Sequence, residues 1–193
     1  MDSSPRGFDF TAAMRALCRD MVARLPELAH VDLDRVAIGV VQARRNVSHG
    51  TYAALTPLRF EGGRSEGTVR GRRYRVQPLT GRGGQDFLYL LTFYLPRFLN
   101  TSLEEKLSTV VHELWHIGPQ FDGDLRRHEG RCYAHGPSKK DYDAQMDRLA
   151  QQWLAADPPL HVYEFLQHTF AELQAEHGPI AGDSWPAPKL IPA

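Results

Sequence analysis

Thr101-Ser102-Leu103-Glu104-Glu105-Lys106-Leu107-Ser108-Thr109-Val110-Val111-His112-Glu113-Leu114-Trp115-His116-Ile117 is the stretch on which the reading of this chain turns. Thr101 and Ser102 each stand three residues before a glutamate, Glu104 and Glu105, which is the capping-box spacing that opens a helix. Leu103, Leu107, Val110, Leu114 and Ile117 recur at helical intervals and form one apolar stripe. Gly118-Pro119 stops the segment, so the pattern predicts a helix over about 102–117. On a 3.6-residue period His112 and His116 leave the same face, off the centre of the stripe, and two imidazoles so placed can share a metal ion. Glu113 then brings a carboxylate to the place where it can take a proton from water at that metal. A buried helix with two incidental histidines is the plainer reading, but it leaves the HExxH spacing unexplained.

Upstream, Phe10, Met14, Leu17, Cys18, Met21, Val22 and Leu25 repeat at i, i+3, i+4 and i+7 and predict a first helix over about 8–25. Four strand-like runs follow, at 36–43, 51–60, 74–79 and 87–95, separated by Gly- and Arg-rich breaks. The run 87–95 is apolar on both alternating faces, so both should be covered. Beyond a loop over 118–137, Ser138 and Asp141 form a capping pattern for a helix whose buried stripe is Tyr142, Met146, Leu149 and Trp153. Pro158-Pro159 ends that helix, and Val162, Phe165, Leu166, Phe170 and Leu173 predict a last one closed by Gly178. The segment Ser184-Trp185-Pro186-Ala187-Pro188-Lys189 is too rich in proline to be regular. Helix, sheet, then helices is an α+β order. The expected architecture is an N-terminal helix, a small mostly antiparallel sheet, the HExxH helix and two further C-terminal helices. It forms one domain over 1–178, with an irregular tail over 179–193.

A chain of 193 residues suits one domain with one sizeable core. Lys+Arg and Asp+Glu are equal at 23 each, so the whole molecule has no charge bias toward nucleic acid or membranes. No run approaches the length of a membrane span, and residues 1–6 do not lead into a signal-peptide core. Two cysteines, Cys18 and Cys132, make no disulfide framework, so the cytosol is the expected compartment. Arg64, Arg70, Arg72, Arg73, Arg75 and Arg82 cluster around Tyr74. On a neutral chain a solvated hairpin is the simpler reading of that cluster, and a weak phosphate-binding, nucleic-acid-contacting patch is the other.

A hydrolytic zinc takes three protein ligands and keeps a fourth position open, so one ligand is wanted beyond His112 and His116. Downstream lie Asp122, Asp124, His128, Glu129 and His135. Asp122 follows His116 by six residues, where metzincins place a third ligand, but the glycine their turn needs is here Pro119. His128 sits in Arg126-Arg127-His128-Glu129-Gly130, which reads as a solvated loop. His135 precedes Gly136-Pro137 and a new helix, a placement that can hold a loop ligand fixed. The order is therefore His135, then Asp122, then His128. Tyr133, Tyr142 and the Arg126-Arg127 pair are candidate oxyanion donors, while Asp122 and Asp124 are candidates for orienting the imidazoles.

The pattern His112-Glu113-Leu114-Trp115-His116 followed by His135-Gly136-Pro137 resembles the SprT-like (Spartan-type) zinc metallopeptidases, in which an HExxH precedes a ligand histidine in an HGP turn. The wider stretch 51–148, including Phe121-Asp122-Gly123-Asp124-Leu125-Arg126-Arg127, is similar to the phage-type metallopeptidases. The resemblance implies a zincin-like fold, Zn2+ held by His112, His116 and His135, and Glu113 as general base. It also implies a peptide or protein substrate. Tyr142 would take the family's aromatic position, three residues late, and the paired cysteines of a C-terminal zinc ribbon are absent from the sequence. Two rivals read the same site differently: a nucleic-acid-associated zinc protein, and a zinc hydrolase of non-peptide amides.

Overall fold

The first helix, α1 (Phe10–Arg24), starts where the Asp9 carboxylate accepts the Ala12 N–H at 2.9 Å and caps it. A computed structural model describes this element within residues 7–42, 50–127 and 139–193. Phe10, Met14, Leu17, Cys18 and Met21 are wholly buried along one side of α1, as their spacing requires. A two-residue strand, β1 (Phe8–Asp9), precedes it, and β2 (Val36–Gln42), β3 (Ala53–Pro57), β4 (Glu66–Val69), β5 (Arg72–Val76) and β6 (Tyr89–Leu95) follow. Then come α2 (Leu103–Trp115), α3 (Lys139–Ala155), α4 (Phe170–His177), β7 (Ile180–Ala181) and β8 (Leu190–Pro192). The α+β order holds.

The central sheet runs β2-β6-β3. β6 pairs parallel with β2, from Val36↔Tyr89 to Gln42↔Leu95, and antiparallel with β3, from Ala53↔Phe93 to Pro57↔Tyr89. The expectation of a mostly antiparallel sheet is corrected here: the central sheet is mixed. Parallel partners need a long crossover in place of a hairpin, and residues 43–88 supply it. Alternation along a strand carries no information about direction, so periodicity could not reveal this. Both faces of β6 are covered, as expected. Tyr89, Leu91, Phe93 and Leu95 join Val36, Ile38, α1, α2 and α3 in the main core, while Leu90 and Ala37 join Leu58, Leu79 and Phe87 on the back of the sheet.

The tail, expected to be irregular, is partly ordered into strands. β7 pairs parallel with β1, and β8 pairs antiparallel with β5 to complete a second sheet, β4-β5-β8. Pro186 and Pro188 stay outside the strands, and Pro192 sits on an edge strand, where a missing N–H is tolerated. The single helix expected across 162–178 is also corrected. Two 3-10 turns, Leu160–Val162 and Glu164–Gln167, bury Phe165 and Leu166 before α4 begins. Thr169 interrupts the segment because it caps α4: its hydroxyl accepts the Glu172 N–H, and the Glu172 carboxylate accepts the Thr169 N–H.

Candidate metal centre

Ser102 is the cap of α2, its hydroxyl accepting the Glu105 N–H at 3.1 Å, whereas Thr101 turns its own hydroxyl onto the Phe98 carbonyl. The helix is embedded more deeply than its apolar stripe suggests, with Lys106, Val111 and Glu113 also buried. The Lys106 ammonium donates to the carbonyls of Leu166 at 2.8 Å and His168 at 2.9 Å, which satisfies a charge that burial would otherwise penalise. Burial lowers its pKa. This tie fixes α2 against the C-terminal segment. Sequence reasoning missed it, since a lysine beside an apolar stripe reads as solvated and its partners lie sixty residues away.

From the last turns of α2, the Nε2 atoms of His112 and His116 converge to 3.0 Å. Two nitrogens on one tetrahedral zinc, each bonded at 2.0–2.1 Å, stand roughly 3.3 Å apart, so the separation of this pair is close to what such an ion requires. The Tyr142 ring of α3 lies against both, with centroids 5.1 Å from His112 and 6.1 Å from His116. Burial, reinforced by the nearby Glu113 carboxylate, pushes the Tyr142 phenol up and keeps it protonated. Glu113 is buried, and its Oε2 accepts the Leu55 N–H at 2.7 Å. Burial pushes this carboxyl up to about 7, with the Leu55 N–H pulling the other way.

The Leu55 contact follows from β3 being a sheet edge. Tyr94 N–H donates to the Tyr52 carbonyl and Leu58 N–H to the Leu88 carbonyl, so even-numbered positions face β6. Ala53, Leu55 and Pro57 therefore turn their backbone outward, toward α2. Between β3, α2 and α3 opens a cleft of about 840 Å³, bordered by His112 and Glu113 and by Tyr52, Ala53, Ser108 and Asp147.

After α2 the chain is clamped. The Arg126 N–H donates to the His116 carbonyl at 2.7 Å, its Nε donates to the Trp115 carbonyl at 2.8 Å, and its guanidinium lies 4.2 Å over the Trp115 ring. Tyr89 holds the same loop from beneath, accepting the Gly123 N–H at 3.0 Å and donating to the Asp124 carbonyl at 2.8 Å. Asp124 accepts the Gly62 N–H and pairs with Arg127, and Asp122 accepts the Asp124 N–H at 3.1 Å. Both aspartates thus serve the loop. Among the described residues no group of three His, Cys, Asp or Glu side chains gathers to hold a metal. His128, Glu129, Cys132, Tyr133 and His135 lie outside the described residues. The clamps made by Arg126 and Tyr89 are contributions that sequence reasoning missed, because their partners are backbone groups.

Two imidazoles converging beside a buried carboxylate, at a cleft along a strand edge, suit a metal-dependent hydrolase. The chain belongs to the family described as putative phage metallopeptidase, whose model matches residues 11–153, from α1 into α3. Membership implies metallopeptidase activity and a metal cofactor. No curated protein and no solved structure matches the chain. Among the described residues no helix is long and apolar enough to cross a membrane.

Proposed function

We propose that the chain is a zinc metallopeptidase, with His112, His116 and His135 as metal ligands and Glu113 as general base. The observation that carries this reading is the 3.0 Å approach of the two Nε2 atoms at the cleft that Glu113 borders. When bound, zinc supplies a Lewis acid that acidifies water and polarises a carbonyl. The chain's own groups do the rest. With Oε2 held by Leu55, the other oxygen of Glu113 accepts a proton from the attacking water and passes it to the leaving amine. A carboxyl lifted toward neutrality by burial is matched to that exchange near pH 7. Ala53 offers its outward N–H and C=O to an extended peptide, which can add to the sheet as a further strand. His135 is taken as the third ligand on the resemblance of His135-Gly136-Pro137 to the SprT-like motif, ahead of His128 and of Asp122, whose carboxylate already accepts the Asp124 N–H.

The test is zinc content and peptide cleavage of the purified full chain. Wild type should hold about one zinc per chain. Glu113→Gln should keep fold and metal but lose cleavage, and His135→Ala should lose zinc far more readily than Asp122→Ala or His128→Ala. A folded wild type that never takes up zinc, or a Glu113→Gln variant that cleaves at the wild-type rate, would sink the proposal. Zinc lost from Asp122→Ala and retained by His135→Ala would hand the third position to Asp122.

A further inference from the structure

The β4-β5-β8 sheet stands apart from the metal centre and carries most of the arginine cluster. Between residues 64 and 82 the sequence has Arg64, Arg70, Arg72, Arg73, Arg75 and Arg82 against Glu66 alone, on a chain whose total charge is zero. The hairpin turns at Arg70 and Gly71, both at positive φ (50° and 77°), as a two-residue β-turn requires, and both residues are exposed. On the central strand the side chains alternate: Arg73 and Arg75 take one face, Arg72 and Tyr74 the other. Arg73 is neutralised by Glu66, and Arg64 donates to the Glu61 carbonyl. Arg70, Arg72, Arg75 and Arg82 form no ion pair among the described residues.

The Tyr74 face is more than a charged surface. Val69, Arg70, Arg72, Tyr74 and Leu190 line a shallow, open cup of about 580 Å³, and the tail helps to build it, since β8 brings Leu190 to the rim. Leu190 is left 47% exposed there, although it is a large aliphatic side chain. An aromatic ring and aliphatic walls with two uncompensated guanidinium groups form a pairing with one chemical complement. A flat base can lie on Tyr74 while its phosphate oxygens take the arginine forks. Duplex bases are stacked and cannot reach the ring. The cleft at His112 and the cup at Tyr74 share no lining residue.

We infer that this cup is a binding site for single-stranded nucleic acid, with Arg70 and Arg72 on phosphates and Tyr74 stacked on a base. The inference is independent of the peptidase reading. The probe is a fluorescein-labelled oligothymidylate titrated with the full-length protein and followed by anisotropy at several salt concentrations. Wild type should bind the single strand more tightly than a duplex of equal length. The double variant Arg70→Ala/Arg72→Ala should weaken binding at least tenfold and lower the slope of log K on log salt by about 1.4, the counterions of two phosphates. Tyr74→Leu should weaken it roughly 5- to 100-fold with the slope unchanged, and Tyr74→Phe should retain it, since the π-face and not the hydroxyl is used. Far-UV circular dichroism and melting temperature should stay at the wild-type level in all of these, which certifies the fold without reference to the metal centre. The inference is overturned by wild type that fails to bind near 50 mM salt, or by unchanged binding in the double arginine variant. Equal affinity for duplex and single strand with Tyr74→Leu unaffected would also overturn it, as would anionic phospholipid vesicles binding through these arginines while the oligonucleotide does not.

Discussion

Along the β2 edge of the central sheet, the Val40 N–H donates to the Asp183 carbonyl at 2.8 Å and the Ile38 carbonyl accepts Trp185 Nε1 at 3.1 Å. Asp183 is itself held by the Thr11 hydroxyl of α1. Along the β3 edge, the outward Leu55 N–H meets the Glu113 carboxylate, Pro57 has no N–H to offer, and Ala53 borders the cleft. An open strand edge invites pairing with any extended chain, so a protein that needs one edge for a substrate gains by closing the other. The tail closes β2 and leaves β3 beside the histidines. Stability and chemistry are thereby separated onto opposite edges of a three-stranded sheet, and changes at each edge should register in different measurements.

Removal of residues 182–193 should have the largest effect. It strips the cover from β2, takes Trp185 from the cluster behind the sheet and takes β8 from β5. Losing the half-buried Trp185 alone costs up to about 3 kcal/mol, equivalent to roughly 6–12 °C in melting temperature for a chain of this size. Thermal unfolding and size-exclusion chromatography should show a destabilised, self-associating product. A truncated chain that stays monomeric with the wild-type melting temperature would mean the β2 edge needs no cover.

The β3 edge predicts the opposite sign. In metal-free protein, held so by a chelator, Glu113 keeps its proton up to about 7, against 4.5 for an ordinary glutamate. The folded state therefore binds more protons across that window, and stability should fall as pH rises from 4.5 through 7. Above it the cost of the buried charge, about 3 kcal/mol, is complete. Glu113→Gln has no charge to ionise and can still accept the Leu55 N–H. Metal-free Glu113→Gln should thus exceed wild type by about 3 kcal/mol above pH 7 and match it below pH 4.5, in denaturant titrations. Parallel pH curves for the two proteins would show that Glu113 is solvated and not buried.

These two edges also mark what the sequence could and could not disclose. The α2 helix, its Ser102 cap and the convergence of His112 with His116 were readable because each rests on residues three or four apart. The parallel pairing of β2 with β6 was not, since strand direction is decided by a crossover and leaves no periodic trace. Trp185 sits among prolines, and nothing local says that its indole will reach Ile38. Thr169 split an apolar pattern that ran unbroken through Val162, Phe165, Phe170 and Leu173. Lys106 and Arg126 were opaque for a common reason: each answers backbone carbonyls, which every residue carries. The two aspartates after the HExxH accept the Asp124 and Leu125 N–H groups of their own loop, partners that no local spacing announces.

A smaller effect is expected at Gly39 of β2. A Cβ there would stand 2.6 Å from Trp185 Cδ1 and 3.1 Å from the Asp183 carbonyl oxygen, so the tail must shift. Gly39→Ala should cost about 1–3 kcal/mol in denaturant titration, as overpacking does. Cleavage per folded molecule should be unchanged. A parallel fall in kcat/KM would show that the two edges are coupled through β6.

The smallest effect on stability, and the sharpest on mechanism, is expected from Leu55→Pro. Pro57 already occupies an outward-facing position of the same strand, so a second proline two residues earlier leaves the ladder to β6 intact. It removes the 2.7 Å donor to Glu113 and trims a side chain packed on the main core. That N–H stabilises the ionised carboxylate, so its loss should raise the Glu113 pKa further. The acidic limb of the kcat/KM profile, where Glu113 must be deprotonated to act as base, should move to higher pH. A hydrogen bond to a charged group contributes about 1.5 kcal/mol, which corresponds to roughly one pH unit. Stability at low pH, where the carboxyl is neutral in both proteins, should fall by about 1–2 kcal/mol, mostly from the trimmed Leu55 side chain that packs on the main core. A limb that stays in place would mean that Leu55 releases Glu113 in the working enzyme and that the whole β3 edge is free for substrate. A limb that moves would mean that this edge, through the Leu55 N–H, sets the pH at which Glu113 can act as base.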